Sequence, residues 1–349
     1  MDLQEARRIL DHGRLDKERA LRLYKELDLL TLGQLAHGLR LSLHPEPTVT
    51  YSVDRNINYT NICVSRCGFC AFWRSREDQG AYELDLEALR AKCQETLDLG
   101  GTHILYQGGL NPGLDLSWHK ERLNLMRGMG LWVHGFSPPE IQFMAENWGL
   151  SIRQVLCELM EAGLGSIPGG GAEILVDRVR KKVSPVKCSS AKWLEVMKEA
   201  HLLGLRTTAT MMFGHLETLE DRLEHMLMLR DLQDQTGGFT AFIPWPYQPS
   251  NKTLKAPKAG AVTYLKTLAM SRLVLDNIAH VQASWVTQGP EVGQVALHFG
   301  ADDLGSTMIE ENVVASAGVS FRLCEREIQD LILRAGFKPR KRDVLYRAV

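Results

Sequence analysis

Over residues 1–48, apolar positions recur with helical spacing, as in "ERALRLYKELDLLTLGQLAHGLR", which predicts short helices that stop before "HPEPT". From Val49 onward the pattern changes to short β-rich runs alternating with amphipathic stretches. The runs "VTYSVDRNI", "THILYQG", "LWVHGFS", "LGSIPG", "RTTATMMFG", "GFTAFIPW" and "VQASWVTQG" predict strands. Between them, segments such as "DLEALRAKCQETLDLG" and "SAKWLEVMKEAHLLGL" predict helices closed by glycine. Seven such units, with "GQVALHFGADDLGS" offering an eighth strand, fit an α/β fold of the (β/α)8 TIM-barrel type better than an open doubly wound sheet. The expected organisation is a helical extension over 1–48, a barrel over 49–300, and a C-terminal segment over 301–349 packed on the barrel. The basic run near the end, in "RAGFKPRKRDVLYRAV", is expected to be solvated surface.

Composition narrows the function classes. The 349 residues are 44% hydrophobic and 24% charged, as in a globular protein. With 41 basic against 42 acidic residues, charge gives no case for a nucleic-acid partner. No apolar run reaches the length of a membrane span, and the opening "MDLQEARRILDHGRL" is charged, so the expectation is a cytoplasmic protein without a membrane partner. Seven cysteines, three of them clustered, do not suit a disulfide scaffold.

That cluster lies in "NYTNICVSRCGFCAFWR", where Cys63, Cys67 and Cys70 have the spacing C-x3-C-x2-C. Structural zinc takes four ligands, and no fourth cysteine or histidine stands nearby. A zinc deaminase would need a P-C-x-x-C pair that the chain lacks, although "HLE" at His215 to Glu217 mimics half of that signature. A 4Fe-4S cluster held by three thiolates leaves one iron open to another ligand. Cys93 and Cys157 fall in helical stretches and are expected to be small buried hydrophobes.

The cysteine loop, with Phe69 before its last thiol, resembles the cluster loop of the radical S-adenosylmethionine superfamily. "ILYQGGLNP" resembles that superfamily's glycine motif, and "TATMMFGHLET" its adenine-side strand. Within the superfamily, "VHGFSPPEI", "SIPGGGAEILVDRVRKKVSP", "FIPWPYQPSNKT" and "ASWVTQGPEVGQVALHFGADDLGSTMIEENV" are similar to the dehypoxanthine futalosine cyclase family of menaquinone biosynthesis. The sibling family of aminofutalosine synthases shares the cluster loop and "PGGGAE" but usually carries other residues at "GFSPPE" and "FIPWPYQP".

The resemblance implies a 4Fe-4S cluster and S-adenosylmethionine as cofactors, dehypoxanthine futalosine as substrate, and an electron donor such as flavodoxin or ferredoxin. It implies cluster ligation by Cys63, Cys67 and Cys70. Cofactor contacts would come from Phe69, Phe72, Gln107, Gly108, Gly109, Ser137, Glu173 and Arg180, with Glu173 toward the ribose hydroxyls and Arg180 toward the methionine carboxylate. Gly108 and Gly109 would let the backbone approach the methionine end. A 5′-deoxyadenosyl radical would take hydrogen from the 4′ carbon of the substrate ribose, and the new radical would add to the benzoate ring. Rearomatisation then releases one proton and one electron, with His134, His215 and Glu217 as candidate proton acceptors. A simple cluster-bearing electron carrier would need none of the glycine-rich pocket motifs.

Overall fold

The computed structural model describes residues 1–249, 254–319 and 321–349. Its strands, in chain order, are β1 Thr48–Ser52, β2 Asp54–Asn58, β3 His103–Gln107, β4 Trp132–Gly135, β5 Leu164–Ile167, β6 Arg206–Phe213, β7 Phe239–Pro246, β8 His280–Val281, β9 Asp303–Ser306 and β10 Lys338–Lys341. Strands β2 to β8 form one parallel sheet in sequential order, each neighbour reached through a helical crossover. Asp and Ser side chains start those crossover helices: Asp85, Asp115, Ser151 and Ser189 each accept from a first-turn amide.

The sheet curls, and the segment after residue 301 joins its two edges. On one side Asp302 N donates to Val281 O at 3.1 Å and Ala283 N to Asp303 O at 2.9 Å. On the other, Thr307 N donates to Ser52 O and Ile309 N to Asp54 O, both at 3.1 Å. The protein is thus an α/β barrel of the TIM type whose closing strand comes from "ADDLGS". Segment 301–349 therefore contributes to the wall as well as packing on it.

Three local expectations change. "VTYSVDRNI" is two strands, broken at Val53: β1 lies between β9 and β10 in a three-stranded sheet while β2 enters the barrel. "VQASWVTQG" holds only the end of β8. Its Trp285–Gln288 stretch is a helical turn, favoured by the Ser284 Oγ to Thr287 Oγ1 bond of 2.8 Å. The basic run is not wholly solvated: Lys338–Lys341 pairs with β1, and Arg342 is buried against Asp303. The end of "FIPWPYQPSNKT", residues 250–253, lies outside the described residues.

Helices Leu3–Asp11, Lys17–Glu26 and Leu29–Leu43 precede the barrel, and the last packs on the helix Ala261–Val274. Cys93 is buried in the core and Cys157 is half-buried. Among the described residues no helix is long and apolar enough to cross a membrane.

Candidate active site

One cavity of about 430 Å³ runs down the barrel interior. Its wall follows from strand alternation: Asp54, Asn56 and Asn58 on β2, and His103, Leu105 and Gln107 on β3, all face inward. The chain folds the cysteine loop over the mouth. Arg74 fastens that loop, its guanidinium donating to the carbonyls of Ala71, Phe72 and Trp73 at 3.1, 3.3 and 2.8 Å. Arg66, at φ 46°, turns the backbone between Cys63 and Cys67.

Cys63, Cys67 and Cys70 all line the cavity. The Leu110 amide donates to Cys63 Sγ at 3.3 Å, and Ser65 Oγ lies 3.2 Å from Cys67 Sγ. Burial pushes the free Cys67 thiol up to about 11, against the pull of the nearby Lys187 ammonium. Among the described residues, the one trio of metal-ligating atoms all within 4.8 Å of each other is His44, His280 and Asp302, so at least one pair of the three sulfurs is farther apart than that. A single tetrahedral zinc would draw its sulfurs to roughly 3.8 Å apart. Three thiols on one cavity, with no fourth thiol among the described residues that line it and not all drawn together, suit a cubane with one open iron better than a closed zinc site.

Beside the cysteines lies a set of buried polar groups. Glu140 accepts from Tyr59 Oη at 2.7 Å, Gly108 N at 3.0 Å, Ser137 N at 2.7 Å and Ser137 Oγ at 2.5 Å. Burial raises its carboxyl, and those four donors oppose the shift. Glu173, held at φ 43°, pairs with Lys187 Nζ at 2.6 Å through Oε1, while its buried Oε2 has no hydrogen-bond partner. Glu173 and Lys187 both line the cavity. Burial opposes the charge on Lys187, yet the facing thiols and Glu173 outweigh it and hold the ammonium's pKa raised.

Gly109 has a stricter role than cofactor clearance. A Cβ there would meet Ile62 O at 2.1 Å, so glycine lets this loop seat against the cysteine loop. At Gly108 the same space is filled by the Tyr59 ring.

Deeper in the barrel, His103 Nε2 bonds Asp54 Oδ2 at 2.8 Å, and Ser306 Oγ donates to Asp54 Oδ1 at 2.6 Å. Burial alone would raise the Asp54 carboxyl, but His103, Ser306 and Arg342 outweigh it and hold it below the usual carboxylate range. His134 stands one layer above on β4, beside Leu105. Arg342, Val344 and Tyr346 from the C-terminal tail close the floor.

The sequence-predicted residues divide. Cys63, Cys67, Cys70, Phe69, Phe72, Gln107, Gly108, Gly109, His134, Ser137 and Glu173 share the cavity. His215, Glu217 and Arg180 are not on its wall. The Glu217 carboxylate accepts from Gly214 N at 2.6 Å and His215 N at 2.9 Å and pairs with Arg222, bracing the turn after β6. The His215 ring is occupied at both nitrogens, by Met212 O and Leu216 N. Arg180 donates to the carbonyls of Gly171, Ala172 and Cys188, tying down the glycine-rich turn. Asp54, His103, Lys187, Arg342 and Tyr346 were not anticipated. For the first two a signal existed: Asp54, Asn56 and Asn58 alternate in "DRNIN", and His103 shares a strand face with Gln107 in "HILYQ".

Barrel and three-thiol loop together define a radical S-adenosylmethionine enzyme: residues 57–229 match the radical SAM superfamily and 236–349 the CofH/MqnC C-terminal region. The fold is shared with methylornithine synthase, at TM-score 0.76 and 16% identity over 97% of both chains. The chain is 44% identical to the cyclic dehypoxanthine futalosine synthase of Halalkalibacterium halodurans over 98% of its own length and 93% of the relative's. It belongs to that family. A 5-amino-6-(D-ribitylamino)uracil–L-tyrosine 4-hydroxyphenyl transferase of Archaeoglobus fulgidus is 42% identical, over 90% of this chain and 92% of the relative.

Proposed function

We propose that this chain closes dehypoxanthine futalosine into its cyclic form in menaquinone biosynthesis. The observation that carries the choice is that Ser137, Pro139, Glu140, Ile243 and Trp245, from the two cyclase-like motifs, line the same cavity as the three cysteines.

Cys63, Cys67 and Cys70 would hold the cluster, which with S-adenosylmethionine would supply the 5′-deoxyadenosyl radical chemistry the reaction needs. The residues of the chain position and shield that event. Gln107, Gly108 and Gly109 would flank the methionine end, with Glu140 holding the Gly108 amide. Phe69 and Phe72, on the cavity wall, would pack against the adenine. The partnerless Oε2 of Glu173 would accept from the ribose hydroxyls, with Lys187 holding the carboxylate oriented. Arg180 acts through the glycine turn it holds, not by direct contact.

Both reacting carbons belong to one bound molecule, so the cavity must chiefly fix a near-attack conformer and exclude water. Ile243 and Trp245 supply an apolar wall for the aromatic ring, and the Asp54–His103 layer offers polar partners to the other end. An acidic carrier such as flavodoxin or ferredoxin is the electron donor. Exposed Arg66, Lys181 and Lys182 support this, since Gly68 of the cysteine loop bonds Val183 at 3.0 Å and brings those charges to one rim. The thiol ligand set needs a reducing compartment, which supports a cytosolic location.

The test supplies the reconstituted, reduced protein and S-adenosylmethionine with three alternatives in parallel. These are dehypoxanthine futalosine, the enolpyruvyl substrate of the sibling enzyme, and tyrosine with ribitylaminouracil. Turnover of the first alone is expected, and turnover of either other pair without it overturns the reading.

A further inference from the structure

We infer that a Trp132–Ser166–His134 relay fixes His134 as a neutral imidazole carrying its proton on Nε2, so that it donates a hydrogen bond to an acceptor oxygen of the substrate and is not the base of the reaction. The inference rests on the proposed function only for the identity of that substrate.

The geometry assigns the proton. Ser166 Oγ is the shared atom: Trp132 Nε1 reaches it at 2.9 Å and His134 Nδ1 lies 2.7 Å from it. An indole N–H can only donate, so Trp132 fills one acceptor position of the hydroxyl. Ser166 is 1% exposed, and among the described residues the only acceptor its own O–H reaches is His134 Nδ1. If Nδ1 bore hydrogen, the serine proton would be buried without a partner. Nδ1 therefore accepts, and a neutral ring must carry hydrogen on Nε2. An imidazolium would also place hydrogen on Nδ1, so the same relay opposes the charged ring.

The surroundings agree. His134 is buried, and burial together with neighbouring His103 lowers its pKa to about 3. The charged and titratable groups acting on it are His103, Asp54 and Arg342, and only Asp54 favours protonation. His134 lines the cavity, while Nδ1 is turned to Ser166 on the adjacent strand β5. The fold secures the relay from behind: Gly165 leaves room for the Trp132 ring, since a Cβ there would meet it at 2.4 Å. Trp132 and Ser166 are thus positioning residues, and the Nε2–H is the group offered to the substrate.

Nitrogen-15 NMR of the full-length protein labelled at histidine tests the assignment without turnover. At about pH 7 the His134 signals, assigned by their loss in His134→Gln, should show a protonated Nε2 and a bare Nδ1, unchanged from about pH 6 to 8. A protonated Nδ1, or averaged tautomers, overturns the inference. Ser166→Ala should move the signals toward an average of the two tautomers, and an unchanged spectrum also counts against the relay. In turnover, His134→Gln keeps a donor near the Nε2 position, so KM should stay within about three-fold, whereas His134→Asn should raise it roughly ten-fold. Equal abolition of kcat by both, with S-adenosylmethionine binding intact, would mark a base instead. Failure of wild-type protein to turn over dehypoxanthine futalosine would sink the function and leave the NMR result standing.

Discussion

The guanidinium of Arg342 bonds both carboxylate oxygens of Asp303, at 2.5 and 2.8 Å, tying the C-terminal tail to the strand that closes the barrel. Both side chains are buried, and the cavity floor rests on the same tail. Arg342→Leu would leave Asp303 buried and unpaired, which destabilises by about 3–5 kcal/mol. Denaturant midpoints should show that loss. The double variant Arg342→Leu/Asp303→Asn should lose less than the sum of the singles, and strict additivity would argue that the pair is not coupled.

If each thiolate takes one corner of the cluster as proposed, replacing Cys63, Cys67 or Cys70 with Ala should each abolish iron binding and turnover. Replacing Cys93, Cys157, Cys188 or Cys324 should leave iron and sulfide content unchanged. Normal iron content in Cys63→Ala protein would defeat the ligand assignment.

The grouping of Cys63, Cys67 and Cys70 at one cavity was legible because all three thiols fall within one short loop. Strand order was legible too, since β2 to β8 follow one another in the sheet as they do along the chain. Side-chain direction at a strand end was not. His215 and Glu217 sit at the right end of β6, yet Glu217 folds back to brace Gly214, and no local pattern distinguishes that from an inward-pointing acid. The floor was hidden for a different reason: Arg342 meets its partner across 39 residues of sequence, so its basic neighbours made it read as solvated surface. His134 lines the cavity, but the state of its ring depends on Ser166, a residue on another strand.

Glu173→Gln removes the charge that holds Lys187 and blunts the acceptor offered to a ribose. Equilibrium binding of S-adenosylmethionine to the cluster-loaded protein should weaken roughly ten-fold, with iron content retained. Undiminished affinity would remove Glu173 from the cofactor site.

Stability should fall on mild acidification. Burial lowers His119, His134 and His225 to about 3 in the folded chain. In the unfolded chain these rings charge near about pH 6.5, so between those values the unfolded state binds more protons and stability drops as pH falls. Each ring contributes a slope of about 1.4 kcal/mol per pH unit. His119 sits among the rings of Tyr59, Trp118, Phe136 and Trp148, and His119→Phe should lower the slope by that amount. An unaltered slope would show that His119 does not stay neutral in the fold.

The central claim is that this cavity joins two carbons of one bound substrate after hydrogen is taken from its 4′ position. The direct measurement incubates reconstituted, reduced protein anaerobically with S-adenosylmethionine and dehypoxanthine futalosine deuterated at the 4′ carbon, and reads both products by mass. The account predicts deuterium in 5′-deoxyadenosine and a product from unlabelled substrate that is lighter than that substrate by two hydrogens. Deuterium retained in the cyclised product, or 5′-deoxyadenosine formed without label, would contradict it.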